Sequence, residues 1–307
     1  MSFFHRNLSE IDLKPLVSVS VDTSLSDVVA EFNKMNFGAF GVRDENNKLV
    51  GILSERDLLL RTNPNDFSKW GELKVSSIMS QRIFSLDYDK KVSDAIHMMS
   101  RMEFRHLPIK KDNEYFILSA RILLDLIIED YKSVCEKFGV LEDWVTLTGH
   151  IHEEDHLFLG KKDTLETGTF LFAPIKDVGG TDLLKIDGST TVAELWQKMS
   201  DSKLPIAAVS EWGTLLKGII TDRDFLTKVF VKDGVDLSKS ITEIMTEQPH
   251  SMMMKHHIVY ALNNMAKFRY RNILIVDEDK FPVLNAELIH FLKFFSKIIE
   301  SSELADA

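Results

Sequence analysis

The chain writes one pattern four times, and that repetition decides what it can fold into. Residues 51 to 61 read GILSERDLLLR and residues 218 to 228 read GIITDRDFLTK, with the small, apolar, hydroxyl and carboxylate positions kept. A longer period surrounds both. Short β-prone segments open four units: VSV at 17, FSL at 84, LKI at 184 and HSM at 250. A helix follows in each, with apolar faces Leu25, Val28, Val29, Phe32; Val92, Ala95, Ile96, Met99; Val192, Leu195, Trp196, Met199; and Ile258, Ala261, Leu262, Met265. All four sets keep the i, i+3, i+4, i+7 spacing of a helix with one buried face. Seventeen residues beyond the first member of each set stand Val42, Ile109, Val209 and Ile275, inside strand-like runs. A turn and a second strand come next (GILS, FILS, GIIT, PVLN), then a second helix opening with LLL, LLDLII, FLTKVF or LIHFL.

The pattern predicts an α+β fold of four β-α-β-β-α units. One such unit leaves a sheet face uncovered, so the units are expected to associate in pairs. The hairpin lengths suggest how: Val42 to Ser54 and Val209 to Thr221 are 12 residues each, and Ile109 to Ser119 and Ile275 to Asn285 are 10 each. Unit one then matches three, and two matches four. The expected layout is a first pair over residues 1–130 (units about 10–64 and 75–130), an insertion over 131–170, and a second pair over 171–307 (units about 172–232 and 240–298).

Composition narrows the function. At 307 residues, 44% hydrophobic, the chain can bury two cores. Its longest apolar runs fall short of the roughly 20 residues that span a bilayer. The start, MSFFHRNLSEID, does not read as a secretory signal, so a cytoplasmic protein without a membrane partner is expected. Cys135 is the single cysteine, which excludes an internal disulfide and a thiolate metal cluster. A net charge of −10 argues against a nucleic-acid partner.

The strand ending in a G-h-h-[ST]-x-x-D pattern before a helix, here Gly51, Ser54, Asp57 and Gly218, Thr221, Asp224, resembles the cystathionine-beta-synthase (CBS) domain family. The resemblance covers nearly all of residues 10–130 and 172–298. It implies tandem pairs of units (Bateman modules) whose clefts bind adenosine-containing ligands, and a regulatory protein, not an enzyme. AMP, ADP and ATP lead as ligands, with S-adenosylmethionine, dinucleotides and cyclic di-AMP behind. Family analogy also points to a homodimer or another protein partner.

A carboxylate can accept hydrogen bonds from both hydroxyls of a ribose, a role that suits Asp57 and Asp224. Ser54 and Thr221 stand where a hydroxyl and free backbone amides meet ribose or phosphate oxygens. By family likeness Thr23 and Thr190 also touch the adenosine; Lys90 and His256 occupy those positions in the even units. The even units depart from the motif, with Phe116 or Pro282 for the glycine and Ile122 or Leu288 for the aspartate. They bring basic groups instead: FRHLPI places Arg105 and His106 where YRNILI places Arg271 and Asn272, and an arginine fork suits phosphate. Arg56 and Arg223 could touch phosphate or pair with a surface acid. The expectation is one nucleotide site per pair.

The competing reading is structural: S-x-x-D also caps a helix, and Thr23 and Thr190 could be caps as well. The corresponding function is a protein-interaction scaffold with degenerate ligand sites. His150, His152 and His156 in the insertion could hold zinc or nickel but equally suit an exposed loop, and no metal is assigned.

Overall fold

A computed structural model describes residues 3–132, 168–211, 215–231 and 234–305. The proposed metal histidines His150, His152 and His156 lie outside them. Unit one consists of β1 (Ser18–Ser20), α1 (Leu25–Met35), β2 (Ala39–Arg43), β3 (Leu49–Ser54) and α2 (Glu55–Leu60). Unit two has β4 (Leu86–Asp87), α3 (Val92–Met102), β5 (His106–Lys111), β6 (Glu114–Ser119) and α4 (Ala120–Asp130). Unit three has β7 (Leu184–Asp187), α5 (Val192–Ser202), β8 (Ile206–Glu211) and β9 (Leu215–Thr221), then one α-turn, Asp222–Asp224, running into a π-turn, Phe225–Val229. Unit four has β10 (Ser251–Met253), α6 (Ile258–Phe268), β11 (Asn272–Val276), β12 (Pro282–Glu287) and α7 (Leu288–Ala305). No described helix is long and apolar enough to cross a membrane.

The fourfold register is physical. Val42, Ile109, Val209 and Ile275 pair in parallel with Val19, Leu86, Ile186 and Met252, the same distance upstream each time. All sixteen helix-face residues named above are buried to 2% exposure or less. Each first helix ends on a non-glycine residue in the left-handed region, Asn36, Glu103, Lys203 or Arg269.

One expectation fails. Strand pairing sets Ala39 opposite Ser54, His106 opposite Ser119 and Ile206 opposite Thr221, but Asn272 opposite Glu287, not Asn285. A register shift between Ile275 and Val276 and two extra strand residues carry unit four past the predicted end. Its hairpin therefore matches units one and three, and unit two alone is short. The glycine equivalent in unit four is Leu284, not Pro282, and the aspartate equivalent is His290, not Leu288.

Edge strands tie the units in twos. The short strand Lys14–Pro15, which precedes unit one, pairs with β6 of unit two; Thr246–Glu247, which precedes unit four, pairs with β9 of unit three. The carbonyls of Thr23, Lys90, Thr190 and His256 each accept from a connecting segment, namely from the amides of Val75, Leu8, Ile241 and Ile175. The Thr23 and Thr190 positions thus hold connectors, and the helix N-caps are their neighbours Ser24 and Thr191.

The cores, by contrast, join units across this arrangement. Units one and three share an apolar cluster in which Trp70, Trp196 and Phe230 meet edge to face or tilted, with centroids 4.7 to 5.7 Å apart. The indole N–H of Trp196 donates to the Leu59 carbonyl at 3.1 Å. Units two and four share a second cluster, completed by Phe3, Phe4 and Leu8 from the start of the chain and by Phe170.

Between the two cores runs a buried ionic crossing. Glu55, with a fully buried carboxylate, accepts from Arg223 at 2.7 Å and from Arg271 at 2.7 and 3.2 Å. Its counterpart Asp222 accepts from Arg105 at 3.0 Å and lies 3.5 Å from Arg56, which also binds Glu287 at 2.6 Å. Every unit contributes a member. Removing one partner of such a set leaves a buried charge uncompensated, which costs about 3–5 kcal/mol. Glu55→Ala is expected to lower the unfolding free energy by about that amount, and Glu55→Gln by less, in urea titrations at unchanged slope. A loss under about 1 kcal/mol in the alanine variant would show that the crossing does not hold the units together.

Candidate functional site

A cavity of about 890 Å³ opens where the two halves of the chain meet. Its second-half end is walled by Thr221, Asp224, Tyr270, Arg271 and Asn272, and its first-half end by Val17, Ile117, Ser119 and Ile122. Arg105, His106, Asp222 and Arg223 line it as well.

Local sequence places these groups. In unit three the Asp224 carboxylate Oδ2 accepts from the amide and the hydroxyl of Thr221, both at 2.9 Å, closing the capping box. Its Oδ1 accepts from Lys228 Nζ at 2.8 Å, and Lys228 also reaches the Ile244 carbonyl. The segment continues as a π-turn, an arrangement frequent at functional sites. Unit one repeats the box: Asp57 Oδ2 accepts from the Ser54 amide and hydroxyl, both at 2.7 Å. There Oδ1 is held by Arg61 at 2.9 Å, whose other nitrogens bind the Ile78 carbonyl and the Ser80 hydroxyl. Neither Ser54 nor Asp57 lines the cavity, and Met79 packs against Gly51 so closely that a Cβ there would lie 2.4 Å from its sulfur.

The sequence-derived residues thus divide. Thr221, Arg223, Asp224 and Arg271 come together at one end, and Arg105 and His106 line the same space. Ser54, Arg56 and Asp57 stand outside it, as do Thr23 and Thr190. Arg56 is not a surface cation: its partners Asp222 and Glu287 are buried. The acids Glu55, Asp222 and Glu287 escaped sequence reasoning. One signal was present, since both odd units carry an acid just before the arginine (Glu55-Arg56, Asp222-Arg223), but nothing local says that its partner comes from the other half.

Electrostatics at the crossing are strongly set. Burial works against ionisation of Asp222, yet Arg105, Arg56 and Arg271 outweigh it and hold the carboxyl well below the usual range. Burial also works against charge on Arg105, and the acids Asp222, Glu287 and Glu55 raise it nonetheless. His106 is pushed down to about 3, first by burial and then by Arg105, Arg271 and Arg56. It packs against Gly38, where a Cβ would lie 2.5 Å from its Nε2. In unit four burial depresses His290, and the ring Nδ1 accepts the Glu287 amide at 2.9 Å, so an imidazole performs the capping done elsewhere by aspartate. Among the described residues no group of three or more His, Cys, Asp or Glu is placed to hold a metal ion.

Comparison with known proteins agrees with this architecture. The CBS domain family model matches residues 8–62, 75–117 and 175–230. A "CBS domain-containing protein CBSCBSPB1" of Arabidopsis thaliana is 26% identical over 298 residues, covering 93% of this chain and 53% of that protein. The "Meiotically up-regulated gene 70 protein" of Schizosaccharomyces pombe is 20% identical over 319 residues, covering 95% of this chain and 43% of that one. The chain spans about half the length of the curated relatives it matches. Among solved structures, protein MJ1225 of Methanocaldococcus jannaschii, described as a candidate archaeal homolog of g-AMPK, superposes with a TM-score of 0.67 at 17% identity, covering 92% of this chain and 96% of that one. An uncharacterized conserved protein of Pyrococcus horikoshii gives 0.55 at 12% identity, covering 93% and 97%. With four repeated units in one register and half of its residues matched by the family model, the chain belongs to the CBS domain family.

Proposed function

We propose that the protein is a non-enzymatic regulator that binds an adenine nucleotide in the unit three end of the cavity. The observation that carries this reading is the convergence of Thr221, Asp224, Arg223 and Arg271 on one space. Asp224 Oδ1, now held by a lysine side chain 38% exposed, is the acceptor a ribose hydroxyl would take. Arg271 and Arg223 are the forks a phosphate would meet, and Tyr270 supplies a ring beside them. A nucleotide touching both halves would favour the conformation in which they are close, by as much as its affinity differs between conformations. In unit one the equivalent carboxylate is bound by Arg61 and lies away from the cavity, so we assign one nucleotide site to this space where two were expected.

Titration calorimetry with AMP, ADP and ATP tests the assignment. A hydrogen bond to a charged group contributes about 1.5–3 kcal/mol, so Asp224→Ala should weaken binding by about 10- to 150-fold. Asp57→Ala should leave it unchanged. Equal affinity in wild type and Asp224→Ala would remove the site. Thermal stability indifferent to every nucleotide, together with a mass that grows with concentration, would select the interaction scaffold instead.

The cations that would face phosphate also keep His106 neutral. Because its folded value lies below the unfolded one, near 6.5, folding is unaffected above pH 6.5 and loses stability as pH falls from there toward 3. His106→Gln is expected to flatten the decline between pH 6.5 and 5 in urea midpoints; an unchanged slope would contradict the assignment.

A further inference from the structure

The cavity is larger than one mononucleotide needs. Its volume of about 890 Å³ stands near the top of the range, about 300–1,000 Å³, that holds a single small ligand. It does not stop at Asp224 and Arg271 but continues past Arg105 and Asp222 into the first half of the chain. There its chemistry changes. Val17, Ile117 and Ile122 are apolar and half-buried, and Ser119 offers a hydroxyl. Ile122 stands at the position where Asp224 stands in unit three, so this end has no carboxylate at the ribose position. Between the ends lie three guanidiniums, Arg105, Arg223 and Arg271, against the single carboxylate of Asp222.

We infer that the whole cavity takes one two-headed ligand, a dinucleoside polyphosphate. One nucleoside would sit at Thr221 and Asp224, the phosphate bridge along Arg271, Arg223 and Arg105, and the second base against Val17, Ile117 and Ile122. Three observations carry this: the continuity of the space, the cationic middle, and the unequal ends. A ribose carboxylate at one end fixes the first nucleoside. Apolar half-buried side chains at the other bury a flat base without gripping its sugar. Both heads gain from one loss of translational freedom, so joining them raises affinity through effective concentration. The inference rests on the reading of Thr221 and Asp224 as the ribose anchor.

The test is calorimetry with AMP and with diadenosine tri-, tetra- and pentaphosphate on the full chain. At least one two-headed compound is expected to bind at one per chain, tenfold or more tighter than AMP. Ile122→Trp, with Val17→Trp as a second variant that fills the same end, should return its affinity to the AMP level and leave AMP binding intact; that intact binding also shows that the variant is folded. If AMP binds and Asp224→Ala weakens it, but no two-headed compound binds more tightly, or the gain survives both tryptophan variants, the inference falls and the mononucleotide reading stands. Two AMP molecules per cavity also overturn it. If nothing binds, both readings fall together.

Discussion

The buried crossing of Glu55 and Asp222 with arginines from the opposite half is the constraint on which the remaining architecture depends. Two cores run across the molecule, one joining units one and three and the other joining two and four, while edge strands tie one to two and three to four. These demands meet at the turn between each odd unit's second strand and second helix. Carboxylates so deeply buried are tolerable only with close, directional partners, because desolvation of the ions is costly and is offset only by good geometry. Glu55 meets Arg223 and Arg271; Asp222 meets Arg105 and Arg56. The exchange is reciprocal, each odd unit holding the other's arginine, so neither half can rotate without stranding a charge.

Most of the fold was legible because it is written in periods. A helix face repeats every three to four residues and a parallel pair of strands keeps constant separation, so the sixteen face residues and four strand centres were readable with no tertiary knowledge. Unit four was misaligned for a local reason. Its strand bulges at Ile275 and continues to Glu287, and the residue that caps its helix is a histidine rather than the aspartate that marks the odd units. Length of hairpin was a poor guide because a bulge changes register without changing hydrophobic pattern. The site was only half readable. Asp224, Thr221 and Arg271 announce their chemistry by type and position. Glu55, which decides where Arg271 points, does not, because its partner lies 216 residues away.

The two odd units show how one motif serves two ends. Both close the same capping box, with the carboxylate accepting from its own backbone amide and hydroxyl. The structural reading of S-x-x-D is therefore correct for both, and capping occupies one carboxylate oxygen only. What differs is the holder of the other oxygen. Arg61 is fixed by two further hydrogen bonds and closes its cleft with Met79 behind it. Lys228 has one further carbonyl partner and is 38% exposed, a point charge on a flexible stem. Identical local sequence thus leaves one aspartate committed and the other exchangeable.

Charge balance explains why the cavity belongs with the crossing. Four guanidiniums, from Arg56, Arg105, Arg223 and Arg271, meet three carboxylates, from Glu55, Asp222 and Glu287. In a chain of net charge −10 this is a local positive excess at the deepest point of the molecule. Arg56, Arg223 and Arg271 keep 26 to 30% of their side chains exposed, so solvent stabilises the surplus in the absence of an anion. A phosphate arriving at Arg271 would compete with Glu55 for the same fork, and Glu55 also holds Arg223. Binding in the second half would then be felt in α2 of the first through a single buried carboxylate, which couples the site to the interface without a longer chain of contacts.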